Sequence, residues 1–281
     1  MSILLADSGA TKCEWCLVDN RRKLTPVFTQ GMSPYFLTIP QIESILRNEL
    51  LPHLPSTPVD QIYYYGSGCA SAANARLIRK AILQVFPRAE VQVTVDVMGA
   101  ARALCGHHKG IACILGTGSN SCYYNGKKIV KNSPGLGYVL GDEGSGAFLG
   151  RKVIQYYLYH TFDEELSTRF TLKYPLTPEE ILDHVYKKPL PNRFLASFSV
   201  FLSENRGHYM VENILEDGLN DFFFTHLDKY PESRKYPVHF VGGVAFAFQD
   251  VIRQLCRNYD FELGRILKNP MQGLLEYHRK K

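Results

Sequence analysis

Two glycine-rich turns in this chain carry residue types suited to holding phosphate groups. The first, Asp7-Ser-Gly-Ala-Thr-Lys12, follows a short apolar run. Gly9 has no Cβ, so the backbone can come close to a ligand, and exposed amides together with the Thr11 hydroxyl can bind phosphate oxygens. Asp7 can hold a magnesium ion through water, because Mg²⁺ keeps much of its hydration shell. Lys12 can neutralise phosphate charge.

The second turn, Gly116-Thr-Gly-Ser-Asn120, follows the apolar run from Gly110 to Leu115. Its glycines and hydroxyl groups have the make-up of a second phosphate cradle. It has neither the Gly-x-x-x-x-Gly-Lys-Ser/Thr pattern of a P-loop nor the Gly-x-Gly-x-x-Gly pattern of a dinucleotide site. Either turn alone also fits a polar hairpin. Two such turns, each opening a similar stretch of chain, favour the phosphate-binding interpretation.

A third candidate is Asp96, which follows the alternating segment Val91 to Val95 and precedes small residues typical of a helix from Gly99 to Leu104. A hydroxyl that attacks a phosphoryl group needs a base close to it, and aspartate serves as that base in other phosphoryl transfers. The alternative is that Asp96 is the N-cap of the helix.

Two further glycine-rich segments could bind ligands. Gly135 to Gly146 contains the adjacent carboxylates Asp142 and Glu143, which suit polyol recognition because carboxylates accept hydrogen bonds strongly from hydroxyls. They could instead cap the helix that follows. Val241-Gly-Gly-Val-Ala245 comes after an apolar strand, where its glycines allow either a flat ring or a phosphate near a helix N-terminus, or tight packing.

The elements that position these residues repeat. Three strands, predicted at 3–6, 12–18 and 24–30, and then alternating helices and strands occur twice along the chain, at a spacing of about a hundred residues. The further predicted strands are 61–66, 91–95, 110–115, 121–125, 128–131 and 237–241. The further predicted helices are about 39–51, 71–85, 145–159, 178–186 and 207–227, with one more that ends at about 258. Each copy opens with an apolar strand that runs into a turn containing threonine. The pattern predicts two α/β lobes with a cleft, and such clefts commonly bind ligands.

Composition is ordinary for a globular enzyme, with 45% hydrophobic and 21% charged residues among 281. The formal charge of +5 is spread along the chain, so no nucleic-acid partner is expected. No apolar run approaches the ~20 residues of a membrane span, and the N-terminus does not resemble a signal peptide. We therefore expect a cytoplasmic protein without a membrane partner.

The seven cysteines are an odd number, and most lie among apolar neighbours, as reduced and buried cysteines do. Cys13 and Cys16 have the spacing of a redox or metal pair. They lie in a predicted strand, however, and no second pair is present to complete a zinc site. A structural role is the favoured interpretation.

Taken together, the motifs resemble those of the actin/hexokinase/heat-shock-chaperone ATPase superfamily: an Asp-x-Gly-x-Thr turn, a central aspartate, a Gly-Thr-Gly turn and a late Gly-Gly turn, in that order. Gly116-Thr-Gly-Ser-Asn120 followed by Gly141-Asp-Glu-Gly-Ser145 resembles more closely the N-acetylglucosamine kinases and the related BadF-type ATPases that activate 2-hydroxyacyl-CoA dehydratase and benzoyl-CoA reductase. The resemblance covers nearly the whole chain.

The resemblance implies an α/β fold of two ribonuclease-H-like lobes with a central nucleotide cleft. The lobes would span 1–105 and 106–267, with a C-terminal helix at about 268–281 that returns to the first lobe. It also implies ATP and Mg²⁺ as cofactors, an amino sugar as the small-molecule partner, and pairing into a homodimer.

The family's site residues map onto this chain by position. Asp96 corresponds to the catalytic base. The nucleotide would be bound by Asp7, Ser8, Gly9, Ala10, Thr11, Lys12, Gly116, Thr117, Gly118, Gly242 and Gly243, with the metal at Asp7. The sugar would be bound by Ser33, Asp96, Ser119, Asn120, Gly137 and Asp142.

The chain departs from the family pattern at four positions. Ser8 and Ala10 replace the usual glycines, Val95 precedes the catalytic aspartate where asparagine is frequent, and Ser33 stands where an asparagine often touches the sugar.

Three functions therefore remain open: a kinase for an amino sugar, most readily N-acetylglucosamine at its 6-hydroxyl; an ATPase that activates a dehydratase; and a non-catalytic sensor. Asp96 argues against the sensor, and the absence of a cysteine near residues 135–146 argues against the activator. Glucosamine and N-acetylmuramic acid are the other acceptors considered.

Overall fold

The computed structural model describes residues 2–9, 11–18, 26–55, 58–133 and 135–279. The described chain divides into two compact units. Unit 1 comprises residues within 1–107 together with 270–281, and unit 2 comprises 108–269. Among the described helices, none is long and apolar enough to cross a membrane.

The strands are β1 (Ile3–Ser8), β2 (Lys12–Val18), β3 (Val27–Gln30), β4 (Gln61–Gly66), β5 (Glu90–Val95), β6 (Lys109–Leu115), β7 (Ser119–Asn125), β8 (Ile129–Ser133), β9 (Val238–Val241) and β10 (Leu263–Leu267). The α-helices are α1 (Ile39–Ile45), α2 (Ala72–Val85), α3 (Asp96–Cys105), α4 (Gly137–Leu140), α5 (Gly146–Leu158), α6 (Glu164–Lys173), α7 (Pro178–Tyr186), α8 (Pro191–Ser197), α9 (Ser199–Glu204), α10 (Tyr209–Phe222), α11 (Gly243–Ala247), α12 (Gln249–Asn258) and α13 (Met271–Arg279).

Unit 1 is built on a sheet with the strand order β3-β2-β1-β4-β5. β1 pairs antiparallel with β2 and parallel with β4, and β4 pairs parallel with β5. Side chains alternate between the two faces of a strand, so Leu4 and Ala6 pack with α1 and α2, whereas Leu5 packs with α3 and α13. Both faces of the sheet are therefore covered by helices.

The cysteine pair in β2 shows the consequence of this alternation. Cys13 lies in the core on the α1/α2 face, and Cys16 lies in the core on the α3/α13 face. A spacing of three residues places two side chains on opposite faces of a strand, so the two thiols cannot bind one metal ion.

Unit 2 repeats the topology of unit 1 with the order β8-β7-β6-β9-β10. β6 pairs antiparallel with β7 and parallel with β9, and β9 pairs parallel with β10. The predicted fold class, an α/β chain with two lobes that each begin with a meander, is confirmed.

Helix termini follow the sequence signals where those signals are complete. Ser71 caps α2 by accepting a hydrogen bond from the Asn74 N–H. Thr177 and Glu180 form a reciprocal capping box at α7, with Pro178 at the first helical position. These two helices end where the sequence predicts.

Several sequence predictions need correction. The third strand begins at Val27, and residues 24–25 of its predicted span lie outside the described residues. The small-residue helix begins at Asp96, three residues earlier than predicted. The last helix begins at Met271, because β10 occupies 263–267 and Pro270 precedes the first turn; residues 280–281 of its predicted span also lie outside the described part. β10, α4, α6, α8 and α9 were not predicted.

Candidate functional site

Asp7 and Asp96 lie at the same edge of the unit 1 sheet. Asp7 is near the end of β1, Asp96 follows β5, and both strands run parallel to β4, which separates them. The carboxyl ends of parallel strands meet at one edge, which is where α/β proteins bind ligands. Burial, the charge of Asp96 and the charge of Glu14 raise the pKa of Asp7 to about 7.

Asp96 is the first residue of α3, and the N-cap position belongs to Val95. The N-cap interpretation of Asp96 is therefore wrong. Its Oδ1 accepts a hydrogen bond from the Val97 N–H at 2.8 Å. Burial raises the pKa of Asp96 to about 6, and the backbone N–H groups of Val97 and Asp96 itself oppose the rise. A carboxylate with this pKa is suited to accept a proton near neutral pH.

The turn after β1 has the features of an anion cradle in the part that is described. The Gly9 N–H donates to the Lys12 carbonyl at 3.0 Å, and Gly9 is exposed. The Thr11 hydroxyl is buried without a hydrogen-bond partner, and an unsatisfied buried hydroxyl is costly unless a ligand completes it. Ala10, also predicted to bind the nucleotide, lies outside the described residues.

Two other residues of this turn are engaged with the protein. The Ser8 hydroxyl accepts a hydrogen bond from the Met32 N–H at 3.2 Å. The Lys12 ammonium lies over the Phe28 ring, 3.7 Å from its centroid. Ser8 therefore ties the turn to the neighbouring segment, and Lys12 would have to leave Phe28 to reach a phosphate.

Ser33 lies in the segment that Ser8 anchors. The Tyr64 hydroxyl donates to the Met32 carbonyl at 3.0 Å, which fixes the segment from the other side. Ser33 is buried, and its carbonyl accepts from the N–H groups of Phe36 and Leu37. The structure thus brings Ser33 into the same part of unit 1 as the first turn.

The second glycine-rich turn, between β6 and β7, is fixed to the start of α5. The Gly146 N–H donates to the Gly116 carbonyl at 2.8 Å, and the Ala147 N–H donates to the Thr117 carbonyl at 3.1 Å. The Ser119 hydroxyl is buried without a hydrogen-bond partner. This turn, like the first, presents an unsatisfied hydroxyl beside glycines.

Asp142 lies against this second turn. Its carboxylate is 3.4 Å from the Ser119 N–H, and a Cβ built on Gly118 would lie 3.0 Å from its Oδ2. Burial and Glu143 raise the pKa of Asp142, while the N–H groups of Ser119 and Gly137 and the charge of Arg151 oppose the rise. Gly118, Ser119, Gly137 and Asp142 are thus brought together, as a polyol site requires.

The alternative that Asp142 or Glu143 caps α5 is wrong. The cap is Ser145, whose hydroxyl accepts a hydrogen bond from the Phe148 N–H at 3.1 Å. Asp142 instead has a positive φ of 58°, in the left-handed region that aspartate adopts more readily than most residues other than glycine.

Asn120 is placed differently from the other predicted sugar residues. Its side-chain oxygen accepts hydrogen bonds from the Ser121 N–H at 2.8 Å and from Asn132 at 2.9 Å. Because side chains alternate along β7, Asn120 also faces away from the side that carries Ser119. Asn120 is therefore bound to β8 in this structure and would have to turn to contact a sugar.

Gly242 and Gly243 join β9 to α11. Gly242 has a φ of +130°, and a Cβ there would lie 2.1 Å from the Leu115 carbonyl oxygen. Gly243 is exposed, with nothing within 4 Å of a Cβ. Gly242 thus has a packing role at the end of β6, and Gly243 leaves open space at the start of a helix.

Two residues that the sequence analysis did not single out hold the Asp142 segment in place. Arg151 of α5 donates to the Tyr138 carbonyl at 3.0 Å, and His226 lies 3.5 Å from the Glu143 carboxylate. No local sequence pattern marks either residue, because each contacts a residue that is distant in the sequence: Tyr138 for Arg151 and Glu143 for His226.

The residues near Asp7 fit a hydrated magnesium ion rather than a multidentate metal site. Among the residues described, no group of three or more histidine, cysteine or acidic side chains could hold a metal ion. Mg²⁺ commonly takes one or two carboxylates and keeps several waters. Asp7, with Asp96 as a charged neighbour, matches that limited donor set.

We expect Asp7→Asn to stabilise the ligand-free protein at pH 8 but not at pH 4. The folded pKa of about 7 lies above the unfolded value of about 4. The contribution of Asp7 to stability is therefore full below about pH 4 and is lost as the pH rises through about 7. Melting curves at both pH values, without ligand, measure the difference. Glu216→Gln in α10 removes an exposed acid as the control, and an equal effect of Asp7→Asn at both pH values would contradict the prediction.

Comparison with solved structures finds relatives along the whole chain. A protein from Porphyromonas gingivalis with a provisional name as N-acetylglucosamine kinase is 39% identical, with 99% of each chain covered and a TM-score of 0.95. A second provisional N-acetylglucosamine kinase, from Chromobacterium violaceum, is 18% identical, with 98% of each chain covered and a TM-score of 0.78. A ROK-family glucokinase from Streptomyces griseus, solved with glucose and AMPPNP, is 17% identical over 100% of this chain and 99% of its own, with a TM-score of 0.58.

The last two likenesses show the fold alone. No protein-family model and no curated protein sequence matches the chain.

Proposed function

We propose that this chain transfers the γ-phosphoryl group of ATP to an amino sugar. The premise is that the chain belongs to the N-acetylglucosamine kinase-like family of sugar kinases, which have the actin/hexokinase-type ATPase fold. The 6-hydroxyl of N-acetylglucosamine is the proposed acceptor. The observation that carries this proposal is the pair Asp7 and Asp96 at one edge of the unit 1 sheet, with pKa values raised to about 7 and about 6. The pair supplies both a metal-binding carboxylate and a base.

Asp96 is the proposed base. In the folded protein its carboxylate is partly buried, and its pKa of about 6 leaves it mainly ionised at neutral pH. It can therefore accept the proton of the sugar hydroxyl as that oxygen attacks phosphorus. A base whose pKa lies near the working pH is ionised in most molecules and is still basic enough to take the proton.

The two glycine-rich turns are proposed to hold the nucleotide. When bound, ATP would supply the phosphoryl group, and its Mg²⁺ ion would neutralise negative charge on the phosphates. The unpaired Thr11 hydroxyl and the open backbone at Gly9 fit phosphate oxygens, and Asp7 would hold the metal through water. In unit 2 the proposed nucleotide residues are Gly116, Thr117, Gly118, Gly242 and Gly243.

The sugar is proposed to bind at Asp142 and its neighbours. The Asp142 carboxylate can accept two hydroxyl hydrogen bonds, and charge-assisted bonds of this kind are about twice as strong as neutral ones. The unpaired Ser119 hydroxyl and the Gly137 N–H lie beside it, and Ser33 and Asn120 are the remaining proposed contacts. N-acetylglucosamine is favoured over other sugars because the Porphyromonas gingivalis relative, at 39% identity, bears that name.

A coupled ADP-release assay tests the proposal. The purified chain is given Mg²⁺-ATP and, separately, N-acetylglucosamine, glucosamine, N-acetylmuramic acid and glucose. We expect ADP release that depends on sugar and is fastest with N-acetylglucosamine. Faster release with another of these sugars would keep the kinase and change the acceptor. Slow ATP hydrolysis that no sugar accelerates would refute the proposal and favour an ATPase of the dehydratase-activating kind.

A further inference from the structure

A series of polar groups, each in contact with the next, leads through unit 2 from Ser133 to Glu143, the residue after Asp142. The Ser133 N–H lies 2.5 Å from the Tyr230 hydroxyl, and that hydroxyl lies 3.0 Å from the Ser121 Oγ. The Ser121 Oγ lies 3.2 Å from His226 Nδ1, and His226 Nε2 lies 3.5 Å from the Glu143 carboxylate. Ser121, Tyr230 and His226 are at most 5% exposed, so solvent does not replace these contacts.

The donors in this series of groups can all point the same way. The Ser133 N–H donates to the Tyr230 hydroxyl, and that hydroxyl donates to the Ser121 carbonyl at 3.1 Å. The Ser121 hydroxyl can then donate to His226 Nδ1, which leaves the His226 proton on Nε2, facing the Glu143 carboxylate. Burial lowers the pKa of His226, with Glu143 opposing that change, and the resulting neutral ring is the form that accepts at Nδ1 and donates at Nε2.

The helix that carries His226 has a local irregularity at this point. α10 ends at Phe222, and the next turn, Phe223–Leu227, is a π-helix. Single π-helical turns are rare and occur frequently at functional sites. The His226 ring stacks on the Phe222 ring at 4.6 Å between centroids. The imidazole thus lies beside Phe222, within the π turn, and faces Glu143.

Phe222 also packs directly against the loop that carries Asp142. A Cβ built on Gly144 would lie 2.9 Å from the Phe222 Cβ, and Gly144 has a positive φ of 68°. The end of α10 thus touches both residues that follow Asp142: Phe222 packs on Gly144, and His226 holds Glu143. Asp142 itself has a positive φ, and the contacts made by the two residues after it help to keep that backbone conformation.

We infer that His226 and Glu143 are positioning residues that fix the loop carrying Asp142 and thereby set the affinity for the acceptor sugar. This inference rests on the proposed function for the role of Asp142. Neither residue needs to touch the sugar. Without the His226–Glu143 contact, one anchor of the Asp142 conformation is lost, and the carboxylate moves relative to Ser119.

The test compares His226→Phe with His226→Gln. Phenylalanine keeps the ring stack on Phe222 but removes both polar contacts, whereas glutamine can still donate to Glu143. We expect His226→Phe to raise the KM for the sugar about ten-fold, the usual effect of losing a buried hydrogen bond, with little change in the KM for ATP. Glutamine should restore most of the affinity.

His208 gives a matched control at the other end of α10. It forms a similar histidine–carboxylate pair, with His208 Nε2 2.9 Å from the Asp163 carboxylate, and it is also the N-cap of the helix. His208→Gln should lower the melting temperature and leave the sugar KM unchanged. An equal rise in sugar KM for both histidine variants would overturn the inference, because general loss of stability would then explain it.

Hydrogen exchange of the backbone amides in residues 137–145 gives a readout that does not need activity. We expect faster exchange in His226→Phe and in Glu143→Ala. The second variant removes the same contact from its partly exposed partner, so it can replace His226→Phe if the phenylalanine variant does not fold. Unchanged exchange in a folded variant would overturn the inference even in an active enzyme. If the wild-type protein phosphorylates no sugar, the proposed function fails, and exchange still decides whether the pair fixes the loop.

Discussion

Asp96→Asn should slow sugar-dependent ADP release by about a thousand-fold, within the range that general-base catalysis contributes. The asparagine side chain cannot accept the proton of the sugar hydroxyl. It retains an oxygen that can accept the hydrogen bond from the Val97 N–H, which Asp96 accepts at 2.8 Å. The start of α3 should therefore be preserved, and ATP should still bind.

The measurement is kcat with saturating Mg²⁺-ATP and sugar, accompanied by a direct titration of nucleotide binding. Glu90→Gln is a matched control, because Glu90 is an exposed acid at the opposite end of β5, and its rate should equal that of the wild type. A fully active Asp96→Asn enzyme would mean that another group takes the proton.

The pH profile provides a second measure of the same role. Burial raises the pKa of Asp96 to about 6, so the base becomes protonated and inactive as the pH falls through that value. Saturating Mg²⁺-ATP keeps Asp7 ionised, so that Asp96 alone sets the profile for the sugar. Under that condition we expect kcat/KM of the wild type for the sugar to be level above about pH 7 and to fall about ten-fold for each unit below about pH 6. The residual activity of Asp96→Asn should not show that fall.

The sequence predicted best the parts of the fold in which local pattern and tertiary environment agree. β2 has the predicted bounds Lys12–Val18, because Lys12 to Trp15 alternate between polar and apolar residues and the strand pairs with β1 from Cys13 to Val18. α7 has the predicted bounds Pro178–Tyr186 because proline and a capping box mark its start. β10 was missed, since Gly264 and Arg265 interrupt a five-residue strand that is defined mainly by its pairing with β9.

The candidate site was predictable as a set of residue types but not as a set of contacts. The glycine-rich turns and the isolated aspartates follow from the sequence. That Ser145, rather than Asp142, caps α5 depends on the backbone around Gly144. The pairing of Glu143 with His226 joins residues far apart in the chain, and no local pattern specifies such a pair. Likewise, Asn120 has a side chain of the right type, but Asn132 of the neighbouring strand binds it.

Gly242→Ala should be strongly destabilising, in contrast to Gly243→Ala at the next position. At Gly242 the φ of +130° is strained for alanine, and the new Cβ would lie 2.1 Å from the Leu115 carbonyl oxygen and 3.1 Å from the Gly116 nitrogen. Both neighbours are backbone atoms that cannot rotate away. Steric overlap and backbone strain together should cost about 3 kcal/mol or more. The melting temperature should then fall by about 6–12 °C.

Gly243→Ala serves as the matched control because nothing lies within 4 Å of its Cβ. Alanine in place of glycine at the first residue of α11 should leave the melting temperature unchanged or slightly raised. If the open space at Gly243 admits the adenosine part of ATP, this variant should raise the KM for ATP without loss of stability. The displaced Gly116 in Gly242→Ala should instead raise the KM for ATP and lower stability together. Equal melting temperatures for the two variants would contradict the assignment of Gly242 to packing against β6.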